Sequence, residues 1–263
     1  MLGRIYAFAL NTFREAIRKR FLIAIAILVV GTNMFAAVLG QMSLHEEARV
    51  ARDVGLWSIS FFGSMTAIIL GVLLLYSEIQ KRTIHTMLSK PVERYEFVLG
   101  KYLGMAFTLG LLVAVFTLAM ASILFLRELE ITDTMFKAVV LSYIEVMVVA
   151  AIAILFSSFS SPVLSGVLTG SLWFIGHRTP ELVRIIDSAE LGLFRVVARG
   201  TLFVVPDLHA FAISGSTVDG EHVSVHSSFV GWDYVMTAVG HGLFYIGLFL
   251  VLAIAIFSRR DFS

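Results

Sequence analysis

SEIQKRTIHTMLSKPVERYEFVLGK, residues 77–101, is a charged island between two apolar stretches, WSISFFGSMTAIILGVLLLY (57–76) and YLGMAFTLGLLVAVFTLAMASILFL (102–126). A helix crosses a bilayer with about 20 apolar residues, and each flank supplies that many. The island must then lie outside the hydrocarbon, as a compact helical hairpin on one membrane face. The whole chain agrees: 58% of residues are hydrophobic and 15% charged, with mean hydropathy +0.90. Soluble domains run near 45–50% and about 25%. The excess is gathered in long runs, so an all-α polytopic membrane protein is expected. A barrel would need segments of about 10 residues alternating apolar and polar, and none is present. A formal net charge of +1 leaves no basic field for nucleic acid. The lack of cysteine excludes disulfides, thiolate zinc sites and iron–sulfur clusters.

Working outward, six spans fall near 21–40, 56–76, 102–126, 138–158, 161–177 and 238–257. The fifth is short and opens at Pro162, tolerated at a helix start because its missing N–H had no partner there. Only SSFSSP (157–162) separates it from the fourth, which predicts a tight turn. A kinked re-entrant pair is the alternative, because the two runs together are too long for one span. Arg14, Arg18, Lys19 and Arg20 precede the first span. Lys81, Arg82, Lys90, Arg94 and Lys101 lie in the island, and Arg259 and Arg260 follow the last span. Six crossings put all three groups on one side, which the positive-inside rule makes the cytoplasm, with both termini. The opposing loops, 41–55 and 127–137, carry Glu46, Glu47, Asp53, Glu128, Glu130 and Asp133. The charged lead is too long, and the first apolar run too long, for a cleaved signal peptide; a retained anchor is expected.

In residues 3–20, Ile5, Phe8, Ala9, Phe13, Ala16 and Ile17 share one helical face while Arg4, Arg14 and Arg18 lie off it. This predicts an amphipathic helix lying in the cytoplasmic interface rather than a simple charged leader. The sizeable extramembrane stretch, 178–237, falls outside. Leu182, Ile185, Ile186, Leu193, Val196 and Val197 recur at helical spacing, suggesting a helix on the outer interface. GTLFVVPDLHAFAI (200–213) is too interrupted by Pro206 and Asp207 to cross alone, but can dip partway in if protein covers its backbone. Residues 214–231 read as a loop or small hairpin. About 60 residues bury little core of their own, so this region is a cap.

No G-x-x-x-x-G-K-[ST] is present; Gly100-Lys101 is followed by Tyr102, so the chain cradles no nucleotide phosphates by itself. His222 and His226 are four apart, but Val223 stands where a zinc protease needs Glu, and HVSVH alternates like a strand. Asp219, Glu221, His222 and His226 make a poor metal set, and none is expected. Charges inside spans are expensive and therefore candidates for function. Glu145, in the outer half of the fourth span, can face a substrate path, bind a cation or hydrogen-bond a neighbouring helix. Asn33 is the second candidate for the path, although interhelical hydrogen bonding also explains it; Asn11 and His241 are weaker. Gly63, Gly71, Gly100, Gly104 and Gly110 allow helices to approach closely.

The island's Glu78, Lys81, Arg82, Thr83, Leu88, Ser89, Pro91, Arg94, Glu96, Gly100 and Lys101 resemble the signature of ABC-2 type transporter permeases, an E…GT…L-S-x-P-x-x-R-x-E…GK run after the second span. The tail Phe257-Ser258-Arg259-Arg260-Asp261-Phe262 is similar to that family's ending. Departures are Arg82, where members often carry Gly, and Ile84-His85 after Thr83. The resemblance covers essentially all of 1–263 as a single membrane domain, though only the island is specific. The loop lengths are similar to permeases serving nitrous-oxide-reductase maturation and gliding motility; that likeness names no substrate.

The resemblance implies a permease whose island is a cytoplasmic coupling-helix hairpin docked on a separate ABC ATPase. It implies ATP and Mg on that partner, no cofactor on this chain, a second permease copy or homologue, and a bacterial or archaeal inner membrane. An extracytoplasmic accessory protein is a further expected partner. On this reading Glu78 and Glu96 pair with Lys81, Arg82, Arg94 or Lys101, or with basic groups on the ATPase. Two competing readings are an ion-coupled secondary transporter, which would show repeats and several buried carboxylates, and an anchor subunit of a larger complex. An intramembrane enzyme would need paired His/Glu or Ser/His groups in the spans, and none is evident.

Overall fold

A computed structural model describes residues 2–42, 47–80, 93–129, 133–188, 205–212, 216–218, 221–223 and 231–259. Among them are eight α-helices: α1 (Leu2–Ile17), α2 (Arg20–Met42), α3 (Glu47–Gln80), α4 (Arg94–Leu126), α5 (Asp133–Ser157), α6 (Pro162–His177), α7 (Thr179–Ser188) and α8 (Trp232–Arg259). Two short antiparallel strands, β1 (Ser216–Val218) and β2 (Glu221–Val223), form a ribbon in the expected hairpin.

Five helices, α2, α3, α4, α5 and α8, are long and apolar enough to cross a membrane. The protein is therefore multi-pass. The expected fifth span, α6, has 16 residues. That is about 24 Å of helix, short of the roughly 30 Å hydrocarbon core, so the sixth crossing is not reached by length. Ser161 and Pro162 start α6 as the sequence suggests, and Arg178 caps its far end before amphipathic α7.

α5 is apolar on all sides, and a helix without a polar face is buried. Of its most apolar window 72% is inside the protein, against 33% for α2, α4 and α8. From Val146 to Ile154 it is sealed by neighbours. α3 packs most extensively on it. Gly63 and Gly71 make that contact close: a Cβ on Gly63 would sit 2.7 Å from Val146 Cγ2, and one on Gly71 would strike Ala153. α2, α4 and α8 leave rows such as Ile23, Ile27, Phe107, Leu118, Phe244 and Val251 exposed, as lipid-facing surfaces do.

Helix boundaries differ from the sequence expectation in one consistent way. α3 starts at Glu47, inside the supposed 41–55 loop, and α5 starts at Asp133 rather than 138. Helix-favouring residues outside the long apolar run (Glu47, Ala48, Arg49) extend a helix beyond the hydrocarbon, where apolar-run counting cannot see them. The island behaves likewise: residues 77–80 end α3 and 94–101 begin α4, so its described arms continue the spans.

α1 lies along the start of α4. A Cβ on Gly100 would strike Phe8, and one on Gly104 would come 2.5 Å from Thr12 Cβ and 2.6 Å from the Ala9 carbonyl. The expected apolar stripe only partly matches the buried seam. Ala9 and Ala16 are buried, and so is Thr12, but Ile17 is exposed. Small residues suit the seam because α4 presents glycines there.

Candidate functional site

The membrane interior holds a polar cage around Glu145. Glu145 lies midway along α5 as a helix (Asp133–Ser157). It is fully buried. Ser60 Oγ lies 2.9 Å from its Oε1 and 2.8 Å from its Oε2. Ser64 Oγ donates to Oε1 at 3.1 Å and Trp173 Nε1 at 3.4 Å. His177 Nε2 stands 3.3 Å from the same oxygen, and its Nδ1 is 3.1 Å from the Trp173 carbonyl. A carboxylate and a carbonyl both accept, so whichever ring nitrogen carries a proton donates to the one it faces.

Two i, i+4 pairs build the cage: Ser60 and Ser64 on α3, Trp173 and His177 on α6. This was the missed signal, for polar pairs four apart in two apolar helices present one polar face each. Glu145 lies at the wall of a cavity of about 470 Å³ that also touches Trp57, Phe61, Ser142, Arg178 and His209. The segment 205–212 closes the end near α6. Leu208 N–H donates to the Gly176 carbonyl (3.1 Å), and Tyr234 O–H to the Ala210 carbonyl (2.6 Å). Val205, Leu208 and Phe211 are buried, so this part of the expected dipping segment does enter protein. Burial pushes the Asp207 carboxyl above its usual range, with His209 and His241 pulling it back in part. The His209 N–H donates to that carboxyl at 3.1 Å.

Asn33 stands apart from this cavity. Its amide donates to the Val29 carbonyl (2.8 Å) and to Ser58 Oγ (3.0 Å), tying α2 to α3.

The described end of the island is built into the fold. Arg94 Nη1 donates to the Phe257 and Ser258 carbonyls at 3.0 and 2.8 Å, fastening the end of α8. Phe97 stacks on Phe257. Glu96 is buried with Arg4 at 3.7 Å, and buried Lys101 lies 3.8 Å from Glu15. Glu96 and Lys101 thus meet opposite charges on α1, and Lys101 Nζ also lies 5.7 Å from the centre of the Phe97 ring within the island. Gly100 seats Phe8. Glu78 lies in the last turn of α3. Lys81, Arg82, Thr83, Leu88, Ser89, Lys90 and Pro91 lie outside the described residues, as do Glu46, Glu130, Leu193, Val196, Val197, Asp219, His226 and Arg260.

A sequence profile described as ABC-2 family transporter protein matches residues 6–183 of the 263. The chain belongs to the ABC-2 transporter family. The match runs from α1 through the island and the Glu145 cage into α7. An ABC-2 chain is a membrane permease component, and membership implies an ABC ATPase as partner. A comparison with curated proteins gave no match.

Proposed function

We propose that this chain is the permease subunit through which a separate ATPase moves a substrate across, or does mechanical work at, the inner membrane of a bacterium or archaeon. Family membership carries this reading. On this reading ATP and Mg belong to the partner, where phosphoryl chemistry supplies the energy, in keeping with a sequence that carries no P-loop motif. Glu78, Lys81, Arg82, Thr83, Leu88, Pro91, Arg94, Glu96, Gly100 and Lys101 form the coupling segment. Within it, Glu78 and residues 81–91 meet the ATPase. Arg94, Glu96, Gly100 and Lys101 pass its motion inward, because they grip α8 and α1. A push on the island then reaches α1, α3, α4 and α8 together.

The path runs past Glu145 and the cavity beside it, between α3, α5 and α6. A second copy or a homologue pairs with this chain, α6 makes the sixth crossing within that assembly, both termini are cytoplasmic, and 178–237 is the outer cap, available to an accessory protein. Ion-coupled transport is the second reading, favoured by the Glu145–His177 pair alone.

The deciding experiment reverses Glu78 and Arg82 together, leaving buried Glu96 intact. Normal insertion with loss of ATPase co-purification or of stimulated ATP turnover is expected; persistence of both would remove the docking role. Transport that survives a protonophore but stops with ATP depletion separates the two energy sources.

A further inference from the structure

We propose that the elbow between α1 and α2 binds one anionic phospholipid of the cytoplasmic leaflet. A cavity of about 920 Å³ opens there, lined by Asn11, Arg14, Glu15, Ile17, Arg18 and Lys19. Glu15 is already shared by Lys19 at 3.9 Å and Lys101 at 3.8 Å. Arg14, Arg18 and Arg20 are exposed and make no hydrogen bond or ion pair with any described residue. Arg14 lies in the last turn of α1 and Arg18 in the turn that follows it, so two like charges that repel line one cavity. A phosphate between them turns that repulsion into charge-assisted, fork-like hydrogen bonds. Arg20 opens α2, whose apolar run enters the bilayer, so the cluster sits at headgroup depth.

An apolar groove of about 260 Å³ runs beside it, formed by Tyr6, Ala9, Leu10 and Phe13 with Phe107 and Leu111 of α4. Phe13 and Ile17 are one turn apart, so the groove and the basic cavity adjoin along α1. Phe107 is 61% exposed, directing the groove toward acyl chains. A free phosphate has no use for the groove, and a cluster that only sets topology needs charge without shape. Cations beside a lipid-facing groove fit a molecule that carries a phosphate and a chain together.

The test uses the full chain with its ATPase, reconstituted in nanodiscs of equal parts phosphatidylcholine and phosphatidylglycerol, with retained lipid read by native mass spectrometry after mild extraction. The wild type should retain phosphatidylglycerol in preference. Each basic side chain near an anionic surface contributes about a fivefold gain, so R14Q/R18Q should lose roughly 25-fold of that preference. F107S, with every charge kept, should weaken retention of both lipids, while excess inorganic phosphate should not displace phosphatidylglycerol. An unchanged preference in R14Q/R18Q overturns the site. So does loss of the ATPase with lipid retention intact, which would make the cluster a protein contact. Should that variant aggregate, raising salt on the wild type serves instead: a preference that persists at high ionic strength overturns the proposal.

Discussion

Glu145 shows how one residue commits its neighbours. Replacing it by Leu leaves Ser60, Ser64, Trp173 and His177 without their shared acceptor. Hydrogen bonds between membrane helices average near 0.6 kcal/mol, so Glu145→Leu should cost roughly 2–4 kcal/mol, read as a lower Tm in detergent. Glu145→Gln keeps an acceptor and should cost less. If the path passes here, its transport should fall while ATPase binding persists. Asp207 gives a pH-dependent case. Its raised value means that burial penalises the charged form. The penalty is absent in acid, where the group is protonated folded or unfolded, and sets in as pH rises through the folded value. Asp207→Asn still offers an oxygen to the His209 N–H, so it should raise Tm at neutral pH and leave it unchanged in acid. An equal shift at both would refute this origin.

At the scale of elements, the α1–α4 seam and the α4–α8 fastening carry the predictions. Gly104→Val would drive a side chain into Thr12 and the Ala9 carbonyl. Overpacking of this kind costs about 1–3 kcal/mol and should loosen α1, so that trypsin cleaves after the already exposed Arg14 at a measurably higher rate. Arg94→Gln removes a charged donor from two carbonyls at the end of α8. The side chain is partly exposed, so about 1–2 kcal/mol is expected, seen as faster hydrogen exchange confined to the last turn of α8. The amphipathic character of α1 was legible from Ile5, Phe8 and Ala9. Its partner was not, because Gly100 and Gly104 are silent about which backbone approaches them. Glu96 and Lys101 read as surface charges for the same reason: composition shows a charged island, whereas Arg4 and Glu15 come to them only through the fold.

For the whole molecule, apolar run length made the helical membrane class and most spans plain. It misplaced ends wherever a helix continued into water, and it could not decide α6, where 16 residues and a polar cap meet. The Glu145 cage needed three helices to converge, although Ser60/Ser64 and Trp173/His177 carried the spacing. Topology is directly testable because the chain has no cysteine. A single cysteine at His85 should label from the cytoplasmic side, and one at His222 from the opposite side. Labelling of both from one side would refute the proposed orientation. The sealed stretch Val146–Ile154 has a dynamic corollary. A rod gripped on its whole circumference cannot sweep through fluid lipid, so under the proposed coupling α5 is expected to act as an axle about which the outer helices pivot. Spin labels on α2 and α8 should broaden their separation when ATP is turned over, whereas a reporter on α5 stays still.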